Sequence, residues 1–209
     1  MFYIVGMGPG NLNCTTSKAL SCVKDADVVI GAGRLLDDIR SIEPHKTYMS
    51  LQMPYEPMIE FIRENHEKKC IVVVVTGDSG FYSLTHYIGR YFPKTVYTVL
   101  PGISSLQYLF AAIKEPWQNA PLLSLHGKEA EFTKHVKMHR FVGLLTDKQH
   151  SPQWICDALM ADNLENIVIH IGENLSYAEE HVRQMSLAEV ANAEFEPLLV
   201  VILENLEIE

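Results

Sequence analysis

The chain carries three short motifs that combine glycine with polar side chains. They are Gly6-Met7-Gly8-Pro9-Gly10, Thr76-Gly77-Asp78-Ser79-Gly80 and Pro101-Gly102-Ile103-Ser104-Ser105. Each follows a short apolar run of the kind that forms a buried strand. Glycine lets the backbone approach a bulky ligand closely, and hydroxyls with free amides at a helix N-terminus suit a carboxylate. The motifs therefore predict a ligand-binding edge at the ends of strands.

The first motif differs from the phosphate-binding loop of dinucleotide enzymes. That loop has the spacing G-x-G-x-x-G and opens directly into a helix. Here the spacing is G-x-G-x-G, Asn11 stands where the third glycine would be, and Pro9-Gly10 interrupts the chain. A nicotinamide-dependent oxidoreductase is therefore an alternative that the missing glycine disfavours.

The second motif raises the alternative of a serine hydrolase that uses Ser79 as its nucleophile. The nucleophile elbow of α/β-hydrolases is G-x-S-x-G, whereas here Gly80 follows the serine immediately. A chymotrypsin-like enzyme would need an all-β fold, which the pattern of this chain does not indicate. The hydrolase remains a competing hypothesis from a different functional class.

The elements around the motifs alternate between strand and helix. Short apolar runs without alternation are typical of buried parallel strands, and helical patterns between them indicate βαβ units. The expected strands span residues 2–5, 28–30, 71–75, 96–100, 122–125, 141–145, 167–171 and 198–203. The proline-containing segment 114–121 predicts a linker between an N-terminal α/β domain over 1–115 and a C-terminal α/β domain over 116–209. We expect two small α/β sandwich domains with mostly parallel or mixed sheets and an active-site cleft between them.

Composition excludes several classes of protein. The net charge is 17 − 26 = −9, which argues against nucleic acid as a partner. The longest apolar runs, residues 71–75 and 198–203, are too short to cross a membrane, and the N-terminus lacks a basic signal-peptide region. The cysteines are scattered without a Cys-x-x-Cys pair, which favours reduced thiols and a cytoplasmic location.

Charge is unevenly distributed along the chain. Residues 150–209 contain one basic residue, Arg183, against twelve acidic ones, whereas residues 114–148 contain six basic residues against four acidic ones. An anionic ligand is therefore expected to meet the middle of the chain. His135 and His139 share the i, i+4 spacing of zinc-binding helices, but the glutamate of H-E-x-x-H is missing, so we expect no metal site.

The three motifs, in this order, resemble the tetrapyrrole methylase family. That family has G-x-G-P-G near the N-terminus, then G-D-P or a variant followed by an aromatic residue, then P-G-[IV]-[ST]-[SA]. Segments of the second half, including 124–128, 144–147, 173–177 and 203–205, resemble the branch that methylates C5 of a cobalt-precorrin or precorrin in cobalamin biosynthesis. Ser79 and Lys128 depart from the family, where proline and arginine are usual.

The resemblance implies the activity, the cofactor and the partners. It implies an S-adenosylmethionine-dependent methyltransferase that acts on a small-molecule tetrapyrrole, usually as a homodimer, with a separate C15-methylating decarboxylase as a functional partner. A relative within the family that methylates another tetrapyrrole position is the nearest alternative. Methyl transfer from a sulfonium needs alignment and exclusion of water more than an acid or a base, so no catalytic residue is assigned.

The resemblance also places ligands on individual residues. The residues expected to bind the cofactor are Thr76, Gly77, Asp78, Tyr82, Ser104, Ser105, Leu145 and Thr146. The residues expected to face the tetrapyrrole are Gly8, Pro9 and Gly10. We expect the substrate's carboxylates to meet cationic or hydrogen-bonding side chains, and the candidates are Arg34, His126 and Lys128.

Overall fold

The computed structural model describes residues 1–126 and 131–208. Contacts within the chain divide it into two compact units, Met1–Ser104 and Ser105–Glu209. Each unit is built around a five-stranded sheet with helices, so the expected α/β class is confirmed. Within the described residues there is no helix with the length and hydropathy needed to span a lipid bilayer.

The first unit contains a fully parallel sheet in the order β3-β2-β4-β1-β5. Its strands are β1 (Phe2–Gly6), β2 (Val28–Gly31), β3 (Thr47–Ser50), β4 (Ile71–Val75) and β5 (Tyr97–Leu100). Its helices are α1 (Ser17–Asp25), α2 (Gly33–Ile42), α3 (Glu56–Asn65) and α4 (Thr85–Ile88), and a 3-10 turn spans Leu12–Cys14.

Both faces of the first sheet are buried, because its central strands are apolar on both sides. On one face Val5, Val29 and Val74 pack with residues of α1 and α2. On the other face Ile4 and Val73 pack with residues of α3 and α4. The helices therefore cover the faces of the sheet and leave its carboxyl edge to the loops that carry the glycine motifs.

The second unit contains a mixed sheet in the order β6-β7-β10-β8-β9. Its strands are β6 (Leu122–Ser124), β7 (Phe141–Leu145), β8 (Ile167–Glu173), β9 (His181–Ser186) and β10 (Leu199–Asn205). Its helices are α5 (Ser105–Ala112), α6 (Phe132–Val136), α7 (Pro152–Ala161) and α8 (Leu187–Val190). Strand β10 runs antiparallel to both β7 and β8, so the carboxyl ends of β7 and β8 lie at the same edge as the start of β10.

The boundary between the units lies earlier than the predicted linker, at residues 104 and 105 rather than 115 and 116. The reason is that α5 packs on the second sheet. Its Phe110 meets Phe141 of β7 edge to face at 6.0 Å, and a Cβ atom on Gly143 would come within 3.2 Å of Leu106.

Two strands of the structure were not expected from the sequence. Strand β3 is half-exposed and reads Thr-Tyr-Met-Ser, and strand β9 reads His-Val-Arg-Gln-Met-Ser. Both lie at sheet edges, where one side of the strand meets solvent and a continuous apolar run is not required.

Candidate functional site

The three glycine motifs of the first unit meet at the carboxyl edge of its parallel sheet. In the strand register Gly6 pairs with Val75, and Val5 pairs with Leu100. The loops that follow β1, β4 and β5 therefore start side by side. This is the edge at which open α/β sheets bind ligands.

The loops interlock through glycine backbones. The N–H of Gly8 donates to the Gly77 carbonyl at 3.1 Å, and the N–H of Gly77 donates to the Gly8 carbonyl at 2.7 Å. Both residues have a positive φ, which favours glycine. A Cβ atom on Gly102 would lie 2.3 Å from the Gly77 carbonyl oxygen and 2.7 Å from the carbonyl carbon of Gly6. Glycine at position 102 is thus required by close backbone approach.

Asp78 fastens two of these loops together. Its Oδ1 accepts the N–H of Gly80 at 2.8 Å, and its Oδ2 accepts the N–H of Gly102 at 2.9 Å. Sequence reasoning expected this carboxylate to bind the cofactor. Each oxygen accepts one backbone N–H, so the carboxylate shapes the loops and keeps acceptor capacity; its contact with the cofactor stays a prediction.

Ser79 is turned into the protein. It is 1% exposed, and its hydroxyl donates to the carbonyl of Leu100 at 2.7 Å. A nucleophile must reach its substrate and pass its proton to a base. The geometry of Ser79 meets neither requirement, so it disfavours the hydrolase hypothesis.

The expected cofactor residues of the first unit differ in exposure. Thr76 is exposed, and Ser104 is buried immediately before α5 begins at Ser105. Tyr82 is 61% exposed and has φ 46°. Its ring stands edge to face against Phe81 at 4.7 Å. Left-handed backbone is uncommon for a bulky side chain and is concentrated at functional sites.

The expected tetrapyrrole-facing residues of the first unit lie at the same edge. Gly8, Pro9 and Gly10 are buried in the chain, so little of their surface is open to a ligand. Arg34 is exposed and lies in the first turn of α2, directly after the carboxyl end of β2. The edge thus combines glycine backbone with a cationic side chain.

The second unit places its expected residues at the carboxyl edge of β6 and β7. Ser124 pairs with Leu145 in the parallel register, and His126 follows as an exposed turn residue. The Nδ1 atom of His126 lies 3.2 Å from the Ser124 hydroxyl. The hydroxyl of Thr146 donates to the carbonyl of Leu199 at 2.8 Å. Lys128 lies outside the described residues.

One buried acidic residue at this edge was not singled out as functional. Glu173 ends β8 and is 2% exposed, after six residues that include four isoleucine and valine side chains facing the core or its margins. The sequence feature that could have indicated it is a single acidic residue at the end of an otherwise mostly apolar strand. The segment 173–177 contributed to the family resemblance, but no role was assigned to it.

Two buried thiols and one pair of histidines give no sign of further chemistry. Burial raises the pKa of Cys22 and of Cys156 to about 11, so both thiols are protonated at neutral pH. His139 Nδ1 lies 3.0 Å from the carbonyl of His135, and their rings are 6.0 Å apart. Among residues 1–126 and 131–208, no cluster of three His, Cys, Asp or Glu side chains suits a metal ion.

Comparison with known proteins identifies the relatives of this chain. A family profile described as Tetrapyrrole (Corrin/Porphyrin) Methylases matches residues 1–191. The chain is 32% identical to a protein of Methanocaldococcus jannaschii named as a probable cobalt-precorrin-7 C(5)-methyltransferase, over 98% of each sequence. It is 30% identical to the cobalt-precorrin-7 C(5)-methyltransferase of Salmonella typhimurium, over 98% of this chain and 100% of that protein.

The fold is also found in a solved structure. The uroporphyrin-III C-methyltransferase of Thermus thermophilus, determined in complex with S-adenyl homocysteine, superimposes with a TM-score of 0.79. It is 19% identical, and the match covers 97% of this chain and 96% of that one. At this identity the likeness concerns the fold.

Proposed function

Because this chain belongs to the tetrapyrrole (corrin/porphyrin) methylases, we propose that it is an S-adenosylmethionine-dependent C-methyltransferase that acts on C5 of a cobalt-precorrin in cobalamin biosynthesis. One observation carries the choice of carbon. Two relatives named for C5 of cobalt-precorrin-7 match this chain over 98% of its length at 32% and 30% identity. Membership of the family makes the chain a methyltransferase, and the position of methylation is the proposal.

The glycine loops of the first unit support the proposal of a bound cofactor. Gly8 and Gly77 bond to each other in conformations that favour glycine, which joins the loops after β1 and β4 at the carboxyl edge of the sheet. Thr76 contributes an exposed hydroxyl beside them. The N-terminus of α5, which begins at Ser105, carries the positive end of the helix dipole, which favours an amino-acid carboxylate.

The chain's own contribution to the reaction is positioning. S-adenosylmethionine supplies an electrophilic methyl group on sulfur, and the substrate supplies an electron-rich carbon. The Asp78 carboxylate joins two of the interlocked loops and so restrains their shape. Fixed loops keep the methyl donor in line with the carbon, and correct alignment of two reactants can remove about 7–11 kcal/mol of barrier.

The tetrapyrrole carries several carboxylates, which require cations or hydrogen-bond donors. Arg34 in the first unit and His126 in the second unit are both exposed at carboxyl edges of their sheets. We include Lys128 from the sequence pattern. Charge-assisted hydrogen bonds from such groups bind carboxylates about twice as strongly as neutral ones.

Mass spectrometry of the product from defined precursors tests this function directly. The expected result is a single added methyl group at C5, dependent on S-adenosylmethionine, with a substrate that contains cobalt. Methylation at a different carbon would keep the family activity and reject the C5 assignment. Calorimetry adds a check on the cofactor, since S-adenosylhomocysteine should bind and NAD should not.

A further inference from the structure

Glu173, at the end of β8, belongs to a buried ion pair that the steps above do not use. Its Oε2 lies 2.6 Å from a guanidinium nitrogen of Arg183, which is 33% exposed. Its Oε1 accepts the backbone N–H of Glu196 at 2.7 Å. A carboxylate removed from water is stable only when such partners replace the solvent. One oxygen of the Glu173 carboxylate is therefore held by a hydrogen bond from Glu196, and the other lies within ion-pair distance of Arg183 without forming a hydrogen bond.

Arg183 extends these contacts along the segment before β10. Its guanidinium donates to the carbonyl of Glu194 at 2.9 Å, and it lies 4.5 Å from the centre of the Phe195 ring. Glu173 already holds the N–H of Glu196. The ion pair therefore contacts three consecutive residues, 194 to 196, and fixes the path by which the chain enters β10.

The same segment leads to the carbonyl that holds Thr146. The N–H of Asn174 donates to the carbonyl of Leu198 at 2.9 Å. Leu199 pairs with Glu173 in the antiparallel ladder, and its carbonyl accepts the Thr146 hydroxyl at 2.8 Å. Leu199 of β10 thus pairs with Glu173 at the end of β8 and accepts a hydrogen bond from Thr146, the residue after β7.

We propose that the Glu173–Arg183 ion pair is a positioning device for Thr146, acting through residues 194–199. The proposal rests on the proposed function and on the expectation, from the family resemblance, that Thr146 binds the cofactor. When the pair is intact, the Leu199 carbonyl is held and the Thr146 hydroxyl has one orientation. When the pair is broken, the segment can shift and the Thr146 side chain loses its fixed acceptor. Methyl transfer is sensitive to such shifts because it requires alignment.

The variant Glu173→Gln tests the pair with little change in volume. The amide oxygen can still accept the N–H of Glu196, but the charge that faces Arg183 is lost. We expect the Kd for S-adenosylhomocysteine to rise about tenfold and kcat to fall, while KM for the tetrapyrrole changes less. An unchanged Kd and an unchanged kcat in a folded variant would reject the proposal.

A matched control lies at the other end of β10. Glu204 is also buried and bonds to Arg140 at 2.9 Å and to His170 at 2.9 Å. Glu204→Gln should lower the melting temperature without weakening binding of S-adenosylhomocysteine. If both variants weaken binding to the same degree, the effect of Glu173 is general destabilisation and the positioning role is wrong.

A double-mutant cycle with Thr146→Val asks whether Glu173 acts through Thr146. Valine keeps the shape of threonine but removes the donor to Leu199. In the Thr146→Val background, Glu173→Gln should change the Kd for S-adenosylhomocysteine by less than about threefold. The hydrogen bond to Leu199 through which Glu173 would act is already absent there. Full additivity of the two losses would contradict the proposed path.

A second variant covers the case in which Glu173→Gln does not fold. Glu173→Gln combined with Arg183→Met removes both charges, so no unpaired charge stays buried, and it should reproduce the loss of affinity. The single variant Arg183→Lys, with Glu173 intact, should lose less affinity for S-adenosylhomocysteine than the double variant. Lysine keeps the positive charge at position 183 but lacks the planar contact to Phe195. Wild-type binding by the folded double variant would reject the proposal.

The two proposals fail in different ways. If the wild-type protein does not bind S-adenosylhomocysteine, the proposed function is wrong. If the wild-type protein binds it and the Glu173 and Arg183 variants bind it equally well, only the positioning role is wrong.

Discussion

The Asp78 carboxylate accepts the backbone N–H of Gly102 at 2.9 Å, which ties the loop after β4 to the loop after β5. Its other oxygen accepts the N–H of Gly80 at 2.8 Å. Asp78→Ala removes both bonds and should lower the free energy of unfolding by about 2 kcal/mol, while Asp78→Asn keeps one acceptor and should lose less. Urea unfolding measures both. Asp37→Ala, on the exposed surface of α2, serves as a control and should change stability by less than about 0.5 kcal/mol.

If the glycine loops bind the cofactor as proposed, the same Asp78 variants should weaken that binding, because the loops lose their connection. We expect the Kd for S-adenosylhomocysteine to rise more in Asp78→Ala than in Asp78→Asn. If both bind as the wild-type protein does, the Asp78 link does not shape the site.

Gly102→Ala should disrupt the first unit by steric overlap. The new Cβ would lie 2.3 Å from the Gly77 carbonyl oxygen, which belongs to backbone and cannot rotate away. Gly33→Ala offers a contrast, since no atom lies within 4 Å of its Cβ position and only its φ of +51° opposes a side chain. The Gly33 variant should lose about 1–2 kcal/mol. Circular dichroism with urea should rank the Gly102 variant as the less stable, and the reverse order would contradict the close approach.

Ser79→Ala separates a structural hydroxyl from a nucleophile. The Ser79 hydroxyl donates to the Leu100 carbonyl, so its removal should cost about 1 kcal/mol of stability and leave methyl transfer largely intact. The wild-type protein should not react with a fluorophosphonate probe. Labelling at Ser79, detected by peptide mass spectrometry and absent in the variant, would revive the hydrolase hypothesis.

Glu204 should make the second unit sensitive to acid. Burial acts to raise the pKa of Glu204, but hydrogen bonds from His170 and Arg140 outweigh it and hold the pKa below its ordinary value. A depressed folded-state pKa contributes stability that is fully present above the unfolded-state pKa, about 4.3, and is lost as the pH falls through the lower folded-state value. Melting temperatures between pH 7 and pH 3 should therefore fall more steeply for the wild-type protein than for Glu204→Gln. If the melting temperatures of the two proteins fall equally with pH, protonation of Glu204 is not the cause of the acid sensitivity.

Lys128→Ala should affect the substrate and spare the cofactor. If Lys128 binds a tetrapyrrole carboxylate, its loss removes a charge-assisted hydrogen bond and should raise KM for the tetrapyrrole by about tenfold. The Kd for S-adenosylhomocysteine should stay unchanged. Lys134→Ala is the matched control, because Lys134 is an exposed lysine of α6 paired with Glu131. Wild-type tetrapyrrole kinetics at low salt would remove Lys128 from the substrate site.

Local patterns in the sequence were sufficient for the α/β class and for the location of the loops. Buried parallel strands such as Ile71–Val75 are apolar throughout, because both of their faces are covered, and this signal needs no tertiary information. The glycine motifs follow such strands directly, so their position at a sheet edge could also be predicted. Half-exposed edge strands such as His181–Ser186 could not, because their composition resembles that of a loop.

The roles of individual polar side chains were decided by the tertiary structure. The sequence by itself assigned Asp78 to the cofactor and left Ser79 as the nucleophile of the competing hydrolase hypothesis, but whether a carboxylate or hydroxyl faces a ligand or the backbone depends on which segment the fold brings opposite it. Here the end of β5 supplies Leu100 and the loop after it supplies Gly102 as partners, and both side chains turn toward them. The link from Glu173 through residues 194–199 to Thr146 likewise joins residues that are far apart in sequence. The pairing of β10 with β7 on one side and β8 on the other brings Glu173 and Thr146 close to Leu199. A hydrogen bond requires two atoms to be close in space, but the two residues can be any distance apart in the sequence, so local patterns do not predict such contacts.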